Sequence, residues 1–551
     1  MISSVSCRNF RSLEAVDLPL ESFTAIVGPN GVGKTTILKA IGMVLGDVWP
    51  SIRSFRLPQD FTRFEATKDL SINVAFEPPL IHEDIVGATH AITGLRVRCA
   101  PYRRATKQAE RGDLHVEFEP LGAKGEPPMV AVRRVAGGKP EYRPLSVSTG
   151  LRDQARVLMI DHRRSVVQHL PSARGSALAR LFEPARRELE AAEGKGAQAL
   201  ARFRESYEIA MEALRTPRVQ QVEETIRDTA RRMIGFLGSA AMEEVDVRFT
   251  FADPANPLNS LRLVYQEGDL VVPAEELGLG IQSALVVGIF EALRHLGGPV
   301  GTVVIEEPEM YLHPQAQRYF HRLLAEMADR GSCQVLYATH SPIFAPATRF
   351  ETIRLVRKDP GQMSRVSLVS DPADREFLAA QRSAHKLALS SDPTTSELLF
   401  ARRVLLVEGP GDRLAVLLTA ERLNQDLDAE DLAVVPCGTK TAIPFFARTC
   451  CALGVDFCIL HDEDLLPEEG DEQRRAQIRK DNANAARLNK EIREMAGEQA
   501  NVFMLQPSLE QCVAVGRSAS QKPRRVIEAL GVLETEGFPQ PLRDAVAALV
   551  R

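Results

Sequence analysis

The chain of 551 residues lacks the features that mark several protein classes. Its eight cysteines include no CxxC pair, and no histidine stands at zinc-site spacing, so reduced and mostly buried thiols are the better interpretation. No apolar run reaches the roughly 18 residues needed to cross a bilayer, and the first residues lack the apolar core of a signal peptide. We therefore expect a cytoplasmic protein without a membrane partner.

The composition is otherwise that of an ordinary globular protein, with 44% hydrophobic and 26% charged residues. The net charge is only -5, from 68 basic and 73 acidic residues, so any affinity for nucleic acid must come from local patches. At roughly 100 to 200 residues per domain, the length predicts two to four domains.

The clearest motif follows an apolar, strand-like run from Phe23 to Val27. The next residues read GPNGVGKTT and fit a P-loop, in which glycines let backbone N–H groups wrap phosphates at a helix N-terminus. Lys34 would reach the β and γ phosphates of ATP, and Thr35 would ligate magnesium. The ATP-binding residues predicted in this loop are Gly28, Asn30, Gly31, Gly33, Lys34, Thr35 and Thr36.

Two later apolar runs end in residues suited to ATP hydrolysis. The run from Thr302 to Ile305 leads into Glu306 and Glu307, at the carboxyl end of a predicted strand, where α/β sheets bind ligands. Glu306 would bind the metal through its water shell, and Glu307 would polarise the attacking water. Without the P-loop, a solvated acidic turn would be the better interpretation. Another run ends in His340, placed to sense or stabilise the γ phosphate.

Three strand-like runs follow in the last third of the chain, Arg403 to Val407, Leu432 to Pro436 and Asp456 to His461. Acidic residues directly follow the first and the third of these runs. These runs deliver their carboxylates into turns, and in extended geometry side chains two residues apart point to the same side. Oxygen-only ligands favour magnesium, calcium or manganese over zinc, and a bound cation would explain why like charges are gathered. The predicted metal ligands are Glu408, Asp412, Asp462 and Asp464.

The spacing of apolar residues between these motifs predicts an α/β fold with a mainly parallel sheet. A long helical pattern, residues 176 to 236, interrupts the sheet and suits a dimerisation hairpin, the alternative being a lid on the ATPase core. Residues 359 to 399 are rich in Pro, Asp and Ser, which predicts loops and an interdomain linker.

The N-terminal motifs resemble the ABC-type ATPase heads of the RecF and SMC group. GPNGVGKTT resembles their Walker A motif, VVIEEPEMYLHP their Walker B motif and D-loop, and YATHSP their switch-histidine segment. At the position of their signature motif, Gly280 and Gln282 fit, whereas Gly278 replaces the usual serine. Gln59 or Asp60 would stand at the Q-loop, and Glu306 stands where most members have Asp. The resemblance implies a dimer with ATP between the two protomers.

The C-terminal carboxylates resemble the Toprim domain, with Glu408 as its glutamate and Asp462 and Asp464 as its DxD motif. An ABC-type head followed by a Toprim domain is the architecture of the OLD (overcoming lysogenization defect) family of nucleases, and the resemblance covers nearly the whole chain. The family pattern extends to Asp412 and to a GTK segment ending at Lys440. It further implies Glu510 as a metal ligand and Lys522 as a catalytic lysine.

Four parts are therefore predicted: an ATPase N-terminal part at 1–165, a helical insertion at 166–238, an ATPase C-terminal part at 239–390, and a Toprim nuclease domain at 391–551. The predicted function is that of an ATP-hydrolysing, divalent-metal-dependent DNA nuclease in phage defence or DNA processing. ATP and Mg²⁺ are the expected cofactors, with Mn²⁺ or Ca²⁺ as alternatives at the Toprim site. DNA, a second copy of the chain and an unidentified protein are the expected partners.

Two alternatives stay open at this point. One is a RecF-like DNA-binding ATPase whose Toprim unit is an inactive scaffold, and the other is a Toprim activity such as primer synthesis, against which the missing zinc-ribbon spacing argues. No tyrosine follows Tyr337, so hydrolysis is favoured over a topoisomerase reaction with a covalent tyrosyl intermediate. Six arginines form either a phosphate-contacting cluster or a solvated helix face: Arg152, Arg156, Arg163, Arg164, Arg174 and Arg180.

Overall fold

The architecture is taken from a computed structural model of the chain. It describes residues 1–46, 48–101, 114–134, 140–155, 157–161, 176–190, 214–235, 245–251, 261–296, 301–331, 333–345, 347–384, 393–497, 500–515 and 522–551. The chain forms two compact units. The first comprises Met1–Ile26, Asn30–Thr339 and Arg357–Arg365, and the second comprises Val27–Pro29, His340–Val356 and Val366–Arg551.

The first unit begins with a five-stranded antiparallel sheet in the order β2-β1-β4-β5-β6. Buried and exposed residues alternate along β4, the pattern of a sheet that covers a core with one face. Strands β1 and β2 pair antiparallel as an N-terminal hairpin. The strands are β1 (Ile2–Phe10), β2 (Leu13–Pro19), β4 (Leu70–Glu83), β5 (Thr89–Pro101) and β6 (Leu114–Leu121).

Four strands of a six-stranded sheet form the centre of the ATPase part, in the order β3-β14-β13-β9. Strand β13 pairs in parallel with both β14 and β9, as the sequence pattern predicts. Because parallel strands end at one edge, this order brings the carboxyl ends of β13 and β14 side by side. The elements are β3 (Phe23–Val27), α1 (Lys34–Leu45), β9 (Val157–Ile160), β13 (Thr302–Glu306), α6 (Pro314–Asp329) and β14 (Gln334–Thr339).

Further elements lie between Met129 and Ser367, of which β15 and β16 each have residues in both units. The strands of the three-stranded sheet run antiparallel in the order β10-β11-β12. The remaining elements are β7 (Met129–Arg134), β8 (Pro140–Pro144), α2 (Thr149–Asp153), α3 (Ala177–Glu190), α4 (Pro217–Gly235), β10 (Val245–Phe251), β11 (Leu261–Glu267), β12 (Leu270–Pro273), α5 (Leu279–Leu296), β15 (Ile353–Lys358) and β16 (Ser364–Ser367).

Helix α5 is central to the first unit. By length and composition it could cross a membrane, but 67% of it is buried inside the protein, where it packs against α4. The described half of the predicted helical insertion is therefore built into the core of its own unit. Much of the rest of that insertion, including residues 191–213 and 236–244, lies outside the described residues, and its role in dimerisation stays a prediction.

The two helices approach most closely at Gly288. A Cβ atom there would lie 2.9 Å from the carbonyl oxygen and 3.0 Å from the Cα of Ile226, both of which are backbone atoms. We expect Gly288→Ala to lower the melting temperature, because overpacking that costs about 1–3 kcal/mol outweighs a gain in helix propensity of about 1 kcal/mol. Gly150→Ala is the control, since no atom lies within 4 Å of its Cβ position. Equal melting temperatures of the two variants would contradict the close contact.

The second unit contains a four-stranded parallel sheet in the order β18-β17-β19-β20. Three of its strands match the sequence prediction, with β19 longer by one residue. The strands are β17 (Arg403–Val407), β18 (Leu432–Pro436), β19 (Asp456–Asp462) and β20 (Val502–Leu505). The helices are α7 (Pro372–Ala384), α8 (Pro410–Arg422), α9 (Ile443–Leu453), α10 (Glu472–Ala496), α11 (Leu509–Cys512), α12 (Lys522–Gly531) and α13 (Gln540–Val550).

The prediction of loops over 359–399 was wrong for much of the segment, although the change from the first unit to the second, at Arg365 and Val366, lies within it. The segment contains β16, and its DPAD sequence starts helix α7 rather than a loop. The Asp371 side chain accepts a hydrogen bond from the Ala373 N–H, and Pro372 occupies the first helical position, where proline is favoured. Asp374 then forms an ion pair with Arg448 of α9. Helix α7 is therefore packed onto the Toprim part, whereas the predicted domain boundary lay at residue 391.

Candidate active sites

The P-loop lies between β3 and α1, as predicted, and Gly33 occupies its tightest position. Gly33 has φ of 110°, and a Cβ there would lie 2.4 Å from the Ser364 hydroxyl oxygen and 2.8 Å from that of Ser12. The Ser364 hydroxyl also lies 2.5 Å from the Val32 carbonyl oxygen. These two serines buttress the loop, so glycine is required at this position.

Lys34 is buried, and two carboxylates of the β13 turn act on it electrostatically. Burial lowers the pKa of Lys34, while the charges of Glu307 and Glu309 oppose the lowering. The ammonium group thus lies within electrostatic reach of the acidic turn predicted for hydrolysis. Thr35 and Thr36 are half-buried in the first turn of α1, whereas Asn30 and Gly31 are exposed in the loop.

The acidic turn after β13 is fixed to the end of β14. The Glu307 N–H donates to the Ala338 carbonyl oxygen over 2.8 Å, and Glu307 has φ of 48°. Glu309 is buried and accepts a hydrogen bond from the Thr339 hydroxyl at 2.8 Å. Glu306, which ends β13, and Glu307 were predicted from the sequence, whereas Glu309 and Thr339 were not. The sequence feature that could have indicated Glu309 is its position as the third acidic residue of the EEPE segment.

The predicted signature segment stands at the start of α5. The Gly278 carbonyl oxygen accepts the first helical hydrogen bonds, from the N–H groups of Ile281 and Gln282. The buried amide of Gln282 donates to the carbonyl oxygens of Leu277 and Glu275, so it shapes the loop. No atom lies within 4 Å of a Cβ at Gly278, and a serine would fit there. His340 directly follows β14, as expected.

Several polar residues considered for ligand contacts are engaged in structural contacts instead. Both carboxylate oxygens of Asp60 accept hydrogen bonds, one from the Arg11 side chain and one from the Arg56 N–H. Arg152 contacts the Gly46 carbonyl oxygen and stacks over Trp49, and buried Arg180 donates to the Val157 carbonyl oxygen. For Arg152 and Arg180 the structural interpretation is therefore favoured. The other four arginines of the predicted cluster lie outside the described residues.

The second unit gathers carboxylates at the carboxyl ends of β17 and β19. Glu408 follows β17 and accepts a hydrogen bond from the Asp462 N–H at 2.8 Å. Asp412, in the first turn of α8, accepts one from the Gly409 N–H at 2.9 Å. Asp462 accepts one from the Leu509 N–H at 2.8 Å. Backbone donors therefore hold three of the four predicted ligands in place.

The pKa values of these carboxyl groups reflect burial and mutual repulsion. Burial, together with the charges of Asp412 and Asp464, raises the pKa of Glu408 to about 7. Burial and then the charge of Glu510 raise the pKa of Asp412 to about 6. Burial and the charges of Glu408 and Asp412 raise the pKa of Asp462 to about 8. A hard divalent cation would relieve this repulsion, so the donor set fits such an ion.

Lys440 partly compensates the carboxylates. Its buried ammonium group lies 3.0 Å from Asp464 Oδ2 and 2.5 Å from the Asp462 carbonyl oxygen. Asp464 has φ of 62° and its N–H donates to the Pro507 carbonyl oxygen. Lys440 thus fixes the turn that carries the DxD residues. From the sequence, Lys440 was identified only as the last residue of the GTK segment.

The last two predicted site residues differ in how well they are placed. Glu510 lies in α11, within electrostatic reach of Asp412. Lys522 begins α12, but its side chain lies outside the described part of the chain. Among the described residues, no three His, Cys, Asp or Glu side chains are already close enough to hold one metal ion. The carboxylates are gathered at one edge of the sheet, and metal binding would require their side chains to turn toward a common point.

Comparison with known proteins covers both groups of motifs. Residues 1–118 and 167–345 match the family described as AAA ATPase domain. Residues 399–464 match the family described as overcoming lysogenization defect protein-like, TOPRIM domain. These matches contain the P-loop and the acidic turn in one case, and Glu408 to Asp464 in the other.

Similarity to a curated relative extends over the whole chain. An OLD nuclease of Thermus scotoductus is 49% identical over 551 residues, which is 100% of this chain and 98% of that protein. The Old nuclease of Escherichia phage P2 is 27% identical over 165 residues, 30% of this chain and 28% of that protein. A DNA replication and repair protein RecF of Roseiflexus castenholzii is 33% identical over 114 residues, 20% of this chain and 26% of that protein.

Proposed function

The chain belongs to the OLD nuclease family and is an ATPase and a nuclease that uses nucleotide and divalent metal; we propose that it hydrolyses phosphodiester bonds of DNA with Mg²⁺ at the Toprim site. The observation that carries this proposal is the carboxylate cluster at the ends of β17 and β19. The carboxyl groups are buried and their charges repel each other, so a cation would stabilise them. Because all the predicted ligand atoms are oxygens, Mg²⁺ is favoured over zinc. Mn²⁺ and Ca²⁺ are the alternative ions.

A two-metal arrangement assigns the carboxylates to two sets. Two bound divalent ions would supply an activated water and would stabilise the charge on the transferred phosphate and on the leaving 3′ oxygen. Glu408 and Asp412 would hold one ion, and Asp462, Asp464 and Glu510 would hold the other. Lys440 keeps the DxD turn in place. Lys522 would offset negative charge developing on the phosphate.

ATP hydrolysis would use the edge of the parallel sheet in the first unit. Lys34 would contact the β and γ phosphates, Thr35 and Glu306 would hold Mg²⁺, and Glu307 would orient the attacking water. Glu309 supports this turn through Thr339. His340 would sense the γ phosphate.

A dimer is part of the proposal, because a second protomer would complete the ATP site through its signature segment. Gly278, Gly280 and Gln282 would then face the γ phosphate of the partner, and the Gln282 amide already shapes that loop. The proposed domain limits are those predicted from the sequence, except that helix α7 goes with the Toprim part. We propose that the protein acts in the cytoplasm, in phage defence or DNA processing. A further protein partner is also part of the proposal.

Cleavage of supercoiled plasmid tests the proposed function. The purified protein should nick or linearise plasmid with Mg²⁺ or Mn²⁺, and EDTA should stop the reaction because the carboxylates cannot hold DNA phosphates without a cation. Gel electrophoresis of the products, with and without ATP, is the measurement. ATP turnover without cleavage under any of these cations would instead favour a RecF-like DNA-binding ATPase with an inactive Toprim scaffold.

A further inference from the structure

Helix α10 of the second unit has an unusual surface for its length. It has 25 residues, yet only Ile478, Ile492 and Ala496 are buried. The other positions are mostly exposed and carry an excess of positive charge, although the chain as a whole has a net charge of -5. Seven basic residues stand against four acidic ones, the basic residues being Arg474, Arg475, Arg479, Lys480, Arg487, Lys490 and Arg493.

The inner face of α10 is attached to the loop that carries the DxD residues. The Asn489 side chain donates to the Glu463 carbonyl oxygen at 3.0 Å. Asn482 both donates to the Leu466 carbonyl oxygen and accepts from the Leu466 N–H, each at 2.8 Å. The inner face of the helix therefore lies against the loop that carries and follows the DxD residues.

The outer face of α10 presents two basic side chains without acidic partners. Lys480 and Arg487 are exposed, seven residues apart, and so lie on the same face, opposite the inner one. Neither forms an ion pair within the part of the chain that the structure describes, whereas Arg479 pairs with Glu472 and Lys490 pairs with Glu494. We call the surface formed by Lys480 and Arg487 the α10 ridge.

We propose that the α10 ridge binds the sugar–phosphate backbone of DNA beside the Toprim site. Seven residues span roughly 10 Å of helix, and duplex DNA carries a negative charge about every 1.7 Å along its axis, so both side chains can reach phosphates of one bound duplex. Alanines 476 and 483 lie on the same face and leave room for a close approach, whereas Glu491 and Glu494 lie on that face toward the C-terminal end of the helix. This inference rests on the proposed DNA nuclease function and adds the surface that positions the substrate.

The test compares two neutralised variants of the full chain with equal charge change. Lys480→Gln/Arg487→Gln removes the α10 ridge. Arg318→Gln/Arg322→Gln is the matched control, because both side chains are exposed on α6 of the first unit and, like the ridge residues, form no ion pair within the described residues. Fluorescence anisotropy of a labelled duplex in EDTA, across a range of salt concentrations, gives the affinity and its salt dependence.

The ridge variant should bind DNA more weakly, and the slope of log affinity against log salt should shrink by about 0.9 for each lost phosphate contact, hence by nearly 2. The control variant should keep the slope of the unaltered protein. Hydrolysis of bis(p-nitrophenyl) phosphate with Mn²⁺ should stay unchanged in the ridge variant, because this diester is too short to reach α10.

Four results would overturn the inference. An unchanged salt slope in the ridge variant would do so while leaving the nuclease assignment intact, provided that the unaltered protein binds and cleaves DNA. Equal losses of DNA affinity in the ridge and control variants would mean that DNA responds to the overall charge of the protein and not to the α10 ridge. Loss of small-diester hydrolysis together with DNA binding would mean that the substitutions damage the catalytic site. An unaltered protein that neither binds nor cleaves DNA would overturn the proposed function as well.

Discussion

Asp462→Asn should abolish metal-dependent cleavage of DNA and leave ATP hydrolysis unchanged. Asp462 lies in the middle of the carboxylate cluster: its N–H bonds to Glu408, and its side chain accepts from the Leu509 N–H. Asparagine keeps the shape but removes the charge that a divalent cation needs. Changing a residue that only supports a metal ligand typically lowers metal affinity or activity about 10–100-fold. Loss of a ligand itself should therefore lower the cleavage rate at least about 100-fold. Initial rates of plasmid nicking measure the effect.

Folding of this variant can be checked independently of catalysis. The asparagine oxygen can still accept from the Leu509 N–H, and one of several repelling charges is gone, so the melting temperature in EDTA should not fall. The stabilisation that Mn²⁺ gives to the unaltered protein should disappear. Asp456→Asn is the matched control, since Asp456 is exposed at the other end of the same strand. This variant should cleave DNA at the normal rate. Cleavage by Asp462→Asn within tenfold of normal would contradict the metal-ligand assignment.

Much of the Toprim site could be predicted from the sequence, because its functional residues lie at the ends of strands. Apolar runs fixed β17 and β18 to the residue and β19 to within one residue. Since parallel strands end at one edge, Glu408 and Asp462 were expected at the same edge of the sheet. The strand order, with β17 beside β19, makes them neighbours, and a hydrogen bond joins them. The same reasoning placed Glu306 and His340 at the ends of β13 and β14.

Contacts between residues distant in sequence could not be predicted in this way. Ser12 and Ser364 are 352 residues apart, and nothing in a local pattern shows that their hydroxyls meet behind Gly33. The pairing of Glu309 with Thr339 likewise depends on how β13 and β14 lie together. The prediction of a loop at the DPAD sequence failed for a local reason: Asp, Pro and Ser mark helix starts as well as loops, and the hydrogen bond to Asp371 shows that a helix starts here.

Lys34→Ala should stop ATP hydrolysis. The Lys34 ammonium group is buried at the start of α1 and is within electrostatic reach of Glu307 and Glu309, so it is held where the β and γ phosphates would lie. Without it, the negative charge that develops on the transferred phosphate meets the acidic turn uncompensated. Loss of one such preorganised group costs about 100- to 1000-fold in rate, and phosphate release with saturating Mg²⁺ and ATP measures it.

The matched control for this substitution is Lys39→Ala, which removes an exposed lysine from the same helix and should keep normal turnover. Lys34→Ala should also lose the rise in melting temperature that ATP gives to the unaltered protein, because that rise depends on binding. If the variant still bound ATP but hydrolysed none, Lys34 would act on the transition state alone. Normal turnover by Lys34→Ala would mean that this P-loop is not the ATPase site, and the buried lysine would then serve only to balance Glu307 and Glu309.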